Sequence, residues 1–176
     1  MNTFALEIWD DEASKCTFYT VRWEDAEESE TDKFFNKYDA IAELKRSTQE
    51  LLSLILDSIG EDYGAVDALF NRFENEVIGL PNKGKVNVSG VFFLYPNFPL
   101  RLYALRINNR DDLVVLFNGG VKSGQTNQAS KELNLKWIEA CRFAKRIEDA
   151  LRNGEIVIDE KRRRLLTYTR ETEIYL

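Results

Sequence analysis

Residues 100–117 read LRLYALRINNRDDLVVLF, and this stretch decides the fold. Leu100 to Ile107 is rich in strand-forming residues. Asn108-Asn109-Arg110-Asp111-Asp112 has turn chemistry, and Leu113 to Phe117 is strongly apolar. Strand, turn and strand in this order predict an antiparallel meander. On its N-terminal side, Lys85–Val88 and Val91–Leu94 predict two shorter strands about a Ser89-Gly90 turn. Tyr95-Pro96-Asn97-Phe98-Pro99 then breaks the chain, because each proline restricts the residue before it. On its C-terminal side, Asn118 to Ser130 (NGGVKSGQTNQAS) holds three glycines and few apolar side chains, which predicts a mobile surface loop. A helix is expected from about Lys131, burying Trp137, Ala140, Cys141, Ala144, Ile147 and Leu151 and closed by Gly154. Beyond it, Ile156 to Leu176 predicts one or two strands separated by the basic run Lys161-Arg162-Arg163-Arg164.

Toward the N-terminus the pattern changes twice. Phe4 to Trp9 alternates with period 2 and Cys16 to Trp23 is a second β-rich run, so residues 1–23 predict a hairpin. Acidic, polar residues follow and end at Ser29 and Thr31, two candidate N-caps. Phe34, Tyr38, Ile41, Leu44, Thr48, Leu51, Ile55 and Ile59 then recur every three or four residues, one stripe of roughly seven helical turns. Gly60 suits the position after a helix end. Asp62 suits the cap of a second helix carrying Val66, Leu69, Phe70, Phe73 and Val77, stopped by Gly79-Leu80-Pro81. The expected architecture is a single α+β domain over residues 1–176. It has a mainly antiparallel sheet with two N-terminal-half helices and one C-terminal-half helix packed against one sheet face.

Composition narrows the chemistry. With 176 residues, 44% apolar and 31% charged, the chain describes an ordinary globular domain. It has no histidine, so Ser-His-Asp and Cys-His catalysis and imidazole metal ligation are excluded within it. Cys16 and Cys141 fit no metal-ligand spacing, and no apolar run approaches the ~18 residues of a membrane span. The expectation is a cytoplasmic chain with reduced thiols, no cofactor, no metal and no membrane association. Charge is divided unevenly. Residues 1–80 carry 7 Lys+Arg against 19 Asp+Glu, whereas residues 81–176 carry 17 against 11. A basic half of this kind suits a polyanion or an acidic partner, and solvated surface accounts for it equally well.

Residues 100–146 add a family likeness. An Arg-and-aromatic strand, a short turn, an apolar strand, a Lys-bearing segment and the helix stretch WIEACRFAKRI occur in the order of the RelE/HigB superfamily of bacterial toxins, which the chain resembles. On that likeness residues 30–153 form the toxin-like core, with 1–23 and 155–176 as additions. The resemblance implies a toxin–antitoxin or phage-defence component that cleaves mRNA, free or on the ribosome, without a cofactor. It implies catalytic roles for Arg101, Tyr103 and Lys122, and backbone contacts from Arg106, Arg142, Lys145 and Arg146. Ser123 stands where the family often has a second lysine, and Asn118 where it has a histidine.

The residue chemistry can be read without the name. Cleavage by the RNA 2′-hydroxyl needs a base, a cation for the phosphoryl oxygens and an acid for the leaving oxygen. Arg101 and Tyr103 differ by two on a strand and share a face, as a phosphate clamp beside a stacking surface would require. The same spacing fits a Tyr103 inside the sheet with Arg101 at its edge. GGVKSGQ does not meet the Walker spacing, so it predicts no nucleotide loop. The competing expectation is a catalytically silent module of the same fold that binds an antitoxin protein or a second copy of itself. Inhibition of a topoisomerase is a third.

Overall fold

The structure, a computed structural model, describes residues 2–122 and 127–176. In chain order its elements are β1 (Phe4–Asp10), β2 (Thr17–Trp23), α1 (Glu30–Asp39), α2 (Ala42–Ser53), π-helical turns at Leu54–Tyr63 and a 3₁₀ turn at Asp67–Leu69. There follow β3 (Phe73–Glu74), β4 (Val77–Leu80), β5 (Val86–Val88), β6 (Val91–Phe93), β7 (Leu100–Arg106), β8 (Leu113–Val121), α3 (Asn127–Arg152), β9 (Ile156–Asp159), β10 (Arg164–Thr167) and β11 (Ile174–Tyr175). Seven strands make one sheet in the order β11-β1-β2-β8-β7-β4-β3. Neighbours are antiparallel except β2 and β8, which run parallel with Thr17 opposite Leu113. The chain is therefore α+β and mainly antiparallel, with two helices from its N-terminal half and one from its C-terminal half.

The helices do not share a face, contrary to expectation. Leu102, Ala104, Val114 and Leu116 pack with Phe34, Leu51 and Ile55, whereas Tyr103, Leu105, Val115 and Phe117 pack with Ala140, Phe143, Ala144 and Ile147. The cause is legible in β7 and β8. Both are apolar at nearly every position rather than at alternate ones, and such strands need cover on both sides. α1 and α2 supply it on one face, α3 with the β9–β10 hairpin on the other.

The helical stripe is cut at Ala40 and Ile41, so α1 and α2 replace one long helix. Ser29 is the cap, its Oγ accepting from the Asp32 N–H at 3.1 Å. Thr31, also buried, donates to the carbonyls of Leu116 and Phe117 and so fastens the first turn of α1 to β8. α2 runs on past Gly60 as π-helical turns and stops at Gly64, whose φ is +82°. Gly60 stays inside because its carbonyl accepts from the Lys15 and Cys16 N–H groups at the β1–β2 turn. The second helix expected from Asp62 is absent, and Phe73–Leu80 is a hairpin turned by Asn75 (φ +62°) and Glu76. Phe73 and Val77 fit a helical period, but the pairing of Ile78 and Leu80 with Ala104 and Leu102 outweighs it.

Three further expectations change. Residues 118–121 extend β8 and residues 127–130 begin α3. Of the expected loop, residues 123–126, Ser123 among them, lie outside the described residues. The N-terminal hairpin is no appendage, since β2 lies beside β8 near the middle of the sheet, and β11 extends the same sheet beyond β1. The basic run 161–164 serves the fold in part. Arg163 donates to the Ala13 and Ser14 carbonyls, and Arg164 bonds Asp11 at 2.8 Å. Among the described residues no helix is long and apolar enough to cross a membrane.

Candidate functional site

A cavity of about 460 Å³ opens on the α3 side of the sheet, where β7 begins and β8 ends. Strand parity aims Arg101 and Tyr103 into it. Lys122, just past β8, reaches its rim and is fixed at the backbone by a 2.7 Å bond from its N–H to the Pro99 carbonyl. Leu133, Asn134 and Trp137 of α3 form the roof, and Glu74 of β3 closes the side. The three residues given catalytic roles thus line one opening, although about twenty residues separate the first from the last.

Gly79 makes the room. It lies opposite Tyr103 on β4, and a Cβ there would fall 2.7 Å from Arg101 Cδ and 2.9 Å from Arg72 Cδ. Two arginine stems therefore cross over a position without a side chain. Arg101 is only 7% exposed. Its Nη1 meets Glu74 Oε1 at 3.4 Å, a long contact, and its Nε has no partner among the described residues. Burial, and then the neighbouring Arg72 guanidinium, lower the Arg101 pKa. Burial, and then the Glu74 charge, push the Tyr103 phenol up to about 12. Tyr103 is thus a hydrogen-bond donor near neutral pH and not a base. Glu74 is the lining carboxylate, positioned by a 3.0 Å bond from Trp137 Nε1 to its backbone carbonyl.

Arg106 does not join this site. It points to the opposite face, where Nη1 donates to the Ala65 carbonyl and Nη2 to Asp67 Oδ1, both at 2.7 Å. Of the residues expected to contact a nucleic-acid backbone, Arg106 is thus engaged by the protein itself on the face away from the cavity. Arg142, Lys145 and Arg146 lie along a second groove on the other flank of α3, with Arg146 bonded to the Asn2 carbonyl and placed over the Phe4 ring. Glu74, Arg72 and Trp137 were not among the site residues expected from the sequence. A helical reading of Phe73–Val77 hid the first two; the available signal was Asn75, a residue type that tolerates the left-handed conformation (φ +62°) on which this two-residue hairpin turns.

Among the described residues, no group of three or more His, Cys, Asp or Glu is placed to hold a metal ion. Comparison with known proteins brings no match: no family model fits the chain, and no curated protein or solved structure is similar enough to inform the fold or the site.

Proposed function

We propose that the chain is a toxin-like protein of the RelE/HigB kind that binds and cleaves mRNA in the cytoplasm, at the cavity where Arg101, Tyr103 and Lys122 meet. The convergence of these three side chains on one opening supports this reading above all. Glu74 accepts the 2′-hydroxyl proton, and the oxygen it frees attacks the adjacent phosphorus. Arg101, with Arg72 behind it, stabilises the charge that gathers on the phosphoryl oxygens. Lys122 on the rim protonates the departing 5′-oxygen. Tyr103 donates a hydrogen bond to a phosphate oxygen, and the indole of Trp137 offers a surface for a base. The long Arg101–Glu74 contact has to open as the phosphate enters, which frees both groups for these roles.

A catalytically silent module that binds an antitoxin protein or a second copy of the chain is the other reading. The burial of Arg101 and the net charge of -6 favour it, because an acidic chain is repelled by RNA at long range. One experiment separates the two. Purified protein is incubated with RNA, and with ribosomes carrying mRNA. Cleavage by the wild type that is lost in Arg101→Ala and Glu74→Gln supports the toxin reading. No cleavage, or equal cleavage by Arg101→Ala, rejects it.

A further inference from the structure

The groove on the other flank of α3 measures about 1040 Å³ and runs between that helix, Trp23 at the end of β2 and Tyr38 of α1. A carboxyl pair sits at its base. Glu30 opens α1 with a side chain only 2% exposed, and Lys33 Nζ reaches it at 2.9 Å, Lys136 Nζ at 3.6 Å and Asn118 Nδ2 at 3.3 Å. Asn118 is available because β8 is bulged there. Leu102 pairs with Gly119 but Ala104 pairs with Leu116, so Phe117 and Asn118 share one place in the register. Glu139 of α3 shares Lys136 with Glu30: that ammonium lies 3.6 Å from a Glu30 oxygen and 3.8 Å from a Glu139 oxygen, which brings the two carboxyls together.

Two neighbouring carboxyls resist being ionised together. Burial, followed by the contact with Glu30, raises Glu139 to about 7. Burial opposes ionisation of Glu30 too, but the Lys33 bond, the contact with Glu139 and the Lys136 charge together hold it below the ordinary value. Below about pH 7 the pair therefore carries one proton, on the member that faces the groove, and above it none.

Above the pair, α3 presents Arg142 and Lys145, both exposed and without an ion-pair partner among the described residues. The remaining ionisable neighbours are committed. Lys37 pairs with Glu132 at 3.9 Å, Arg146 bonds the Asn2 carbonyl, and Lys136 lies between Glu30 and Glu139. Burial, and then Glu132, raise the Tyr38 phenol, which stays protonated. Five cations line the groove against Glu132 and Glu139, so the charge state of Glu139 is the variable.

We propose that this groove is a second phosphodiester-binding surface and that the Glu30–Glu139 pair is its proton gate, holding a polyanion more tightly while the pair keeps a proton than once both carboxyls are ionised. The choice of a phosphodiester as ligand rests on the RNA reading above; the gate does not.

The test is fluorescence anisotropy of the whole chain with two probes, a short labelled oligouridine and labelled inorganic polyphosphate, at fixed ionic strength. From about pH 6 to about pH 8 the wild type weakens for both probes by about fivefold, the effect of one charge near a surface. Glu139→Gln holds the acid-side affinity at both pH values. The double variant Arg142→Ala/Lys145→Ala binds weakly at both. Carbon-13 titration of the glutamate carboxyls adds a readout independent of binding, and one carboxyl titrating near neutrality is required. The proposal fails if Glu139→Gln keeps the wild-type pH dependence, if the double variant binds as the wild type does, if no carboxyl titrates there, or if neither probe binds. Gated binding of polyphosphate by a chain that neither binds nor cleaves RNA would uphold the gate and reject the RNA reading.

Discussion

Arg101 and Arg106 both belong to β7, and they are 7% and 8% exposed, yet they face opposite sides of the sheet. Arg106 spends both terminal nitrogens on 2.7 Å bonds, to the Ala65 carbonyl and to Asp67, and lies 5.6 Å from the Phe70 ring. It ties the irregular segment after the π-helical turns to the sheet. Among the described residues Arg101 has one polar side-chain contact, at 3.4 Å, and it stands beside a second guanidinium over Gly79. Among the described residues each leaves its Nε unbonded, so the difference lies in the outer nitrogens. A buried arginine with its charge fully engaged is a strut, whereas one buried with its charge under-engaged is set up to meet an anion.

The sharpest way to break this contrast is to truncate each arginine in turn. On the toxin reading, Arg101→Ala lowers RNA cleavage by about a hundredfold or more, the usual effect of removing a donor aimed at transition-state charge. Its urea midpoint changes little, because the Arg101–Glu74 pair is long and Glu74 is partly solvated. Arg106→Ala does the reverse. It strips the Ala65 carbonyl of its partner and leaves a void beside Phe70, so unfolding free energy falls by about 2 kcal/mol while cleavage per folded molecule is unchanged. Equal losses of activity in the two variants would mean that both arginines are struts.

Parity along β7 was readable in advance because a strand has period 2 and the meander's turn chemistry is local. That much placed Arg101 and Tyr103 on one face. The approach of Lys122 was not readable, since Asn118-Gly119-Gly120 looks like a loop. It enters the sheet because Asn118 occupies a bulge and Gly120 passes beneath Leu133, contacts made by distant residues. The helix expected at 62–77 failed because Phe73 and Val77 satisfy both a helical period and a two-residue hairpin, and only pairing with β7 selects between them. The face taken by α3 was hidden for a related reason: strands apolar on both sides accept a helix on either. Nothing in the sequence joins Glu30 to Glu139, which come together through Lys136 of α3 although α1 and α3 cover opposite faces.

Gly79→Ala probes the space that sets Arg101 apart. The new Cβ meets the methylene stems of Arg101 and Arg72 rather than backbone, and such stems can swing away. The expected cost is therefore about 1 kcal/mol, at the low end for overpacking, together with a fall in cleavage as Arg101 is displaced. Unchanged cleavage would show that the position of its guanidinium is immaterial.

Glu30 extends the comparison to a buried acid, and here the expected effect is smallest. Like Arg106 it is surrounded by partners, but one of them, Glu139, titrates. Glu139 is raised in the folded chain from an ordinary 4.5 to about 7. Its folded form thus holds a proton that the unfolded chain releases earlier. The resulting stability is complete below about pH 4.5 and is lost as pH rises through about 7. Glu30 is lowered, so its contribution has the opposite sign. It is present above the ordinary carboxylate range and disappears in acid. Across the window from about 4.5 to about 7 the wild type should therefore lose stability relative to Glu139→Gln, by no more than about 1 kcal/mol once solvent screening is allowed for. Urea unfolding of both proteins at several pH values measures the gap. Parallel curves would mean that Glu30 is held as Arg106 is, by partners of fixed charge, with no proton shared between α1 and α3.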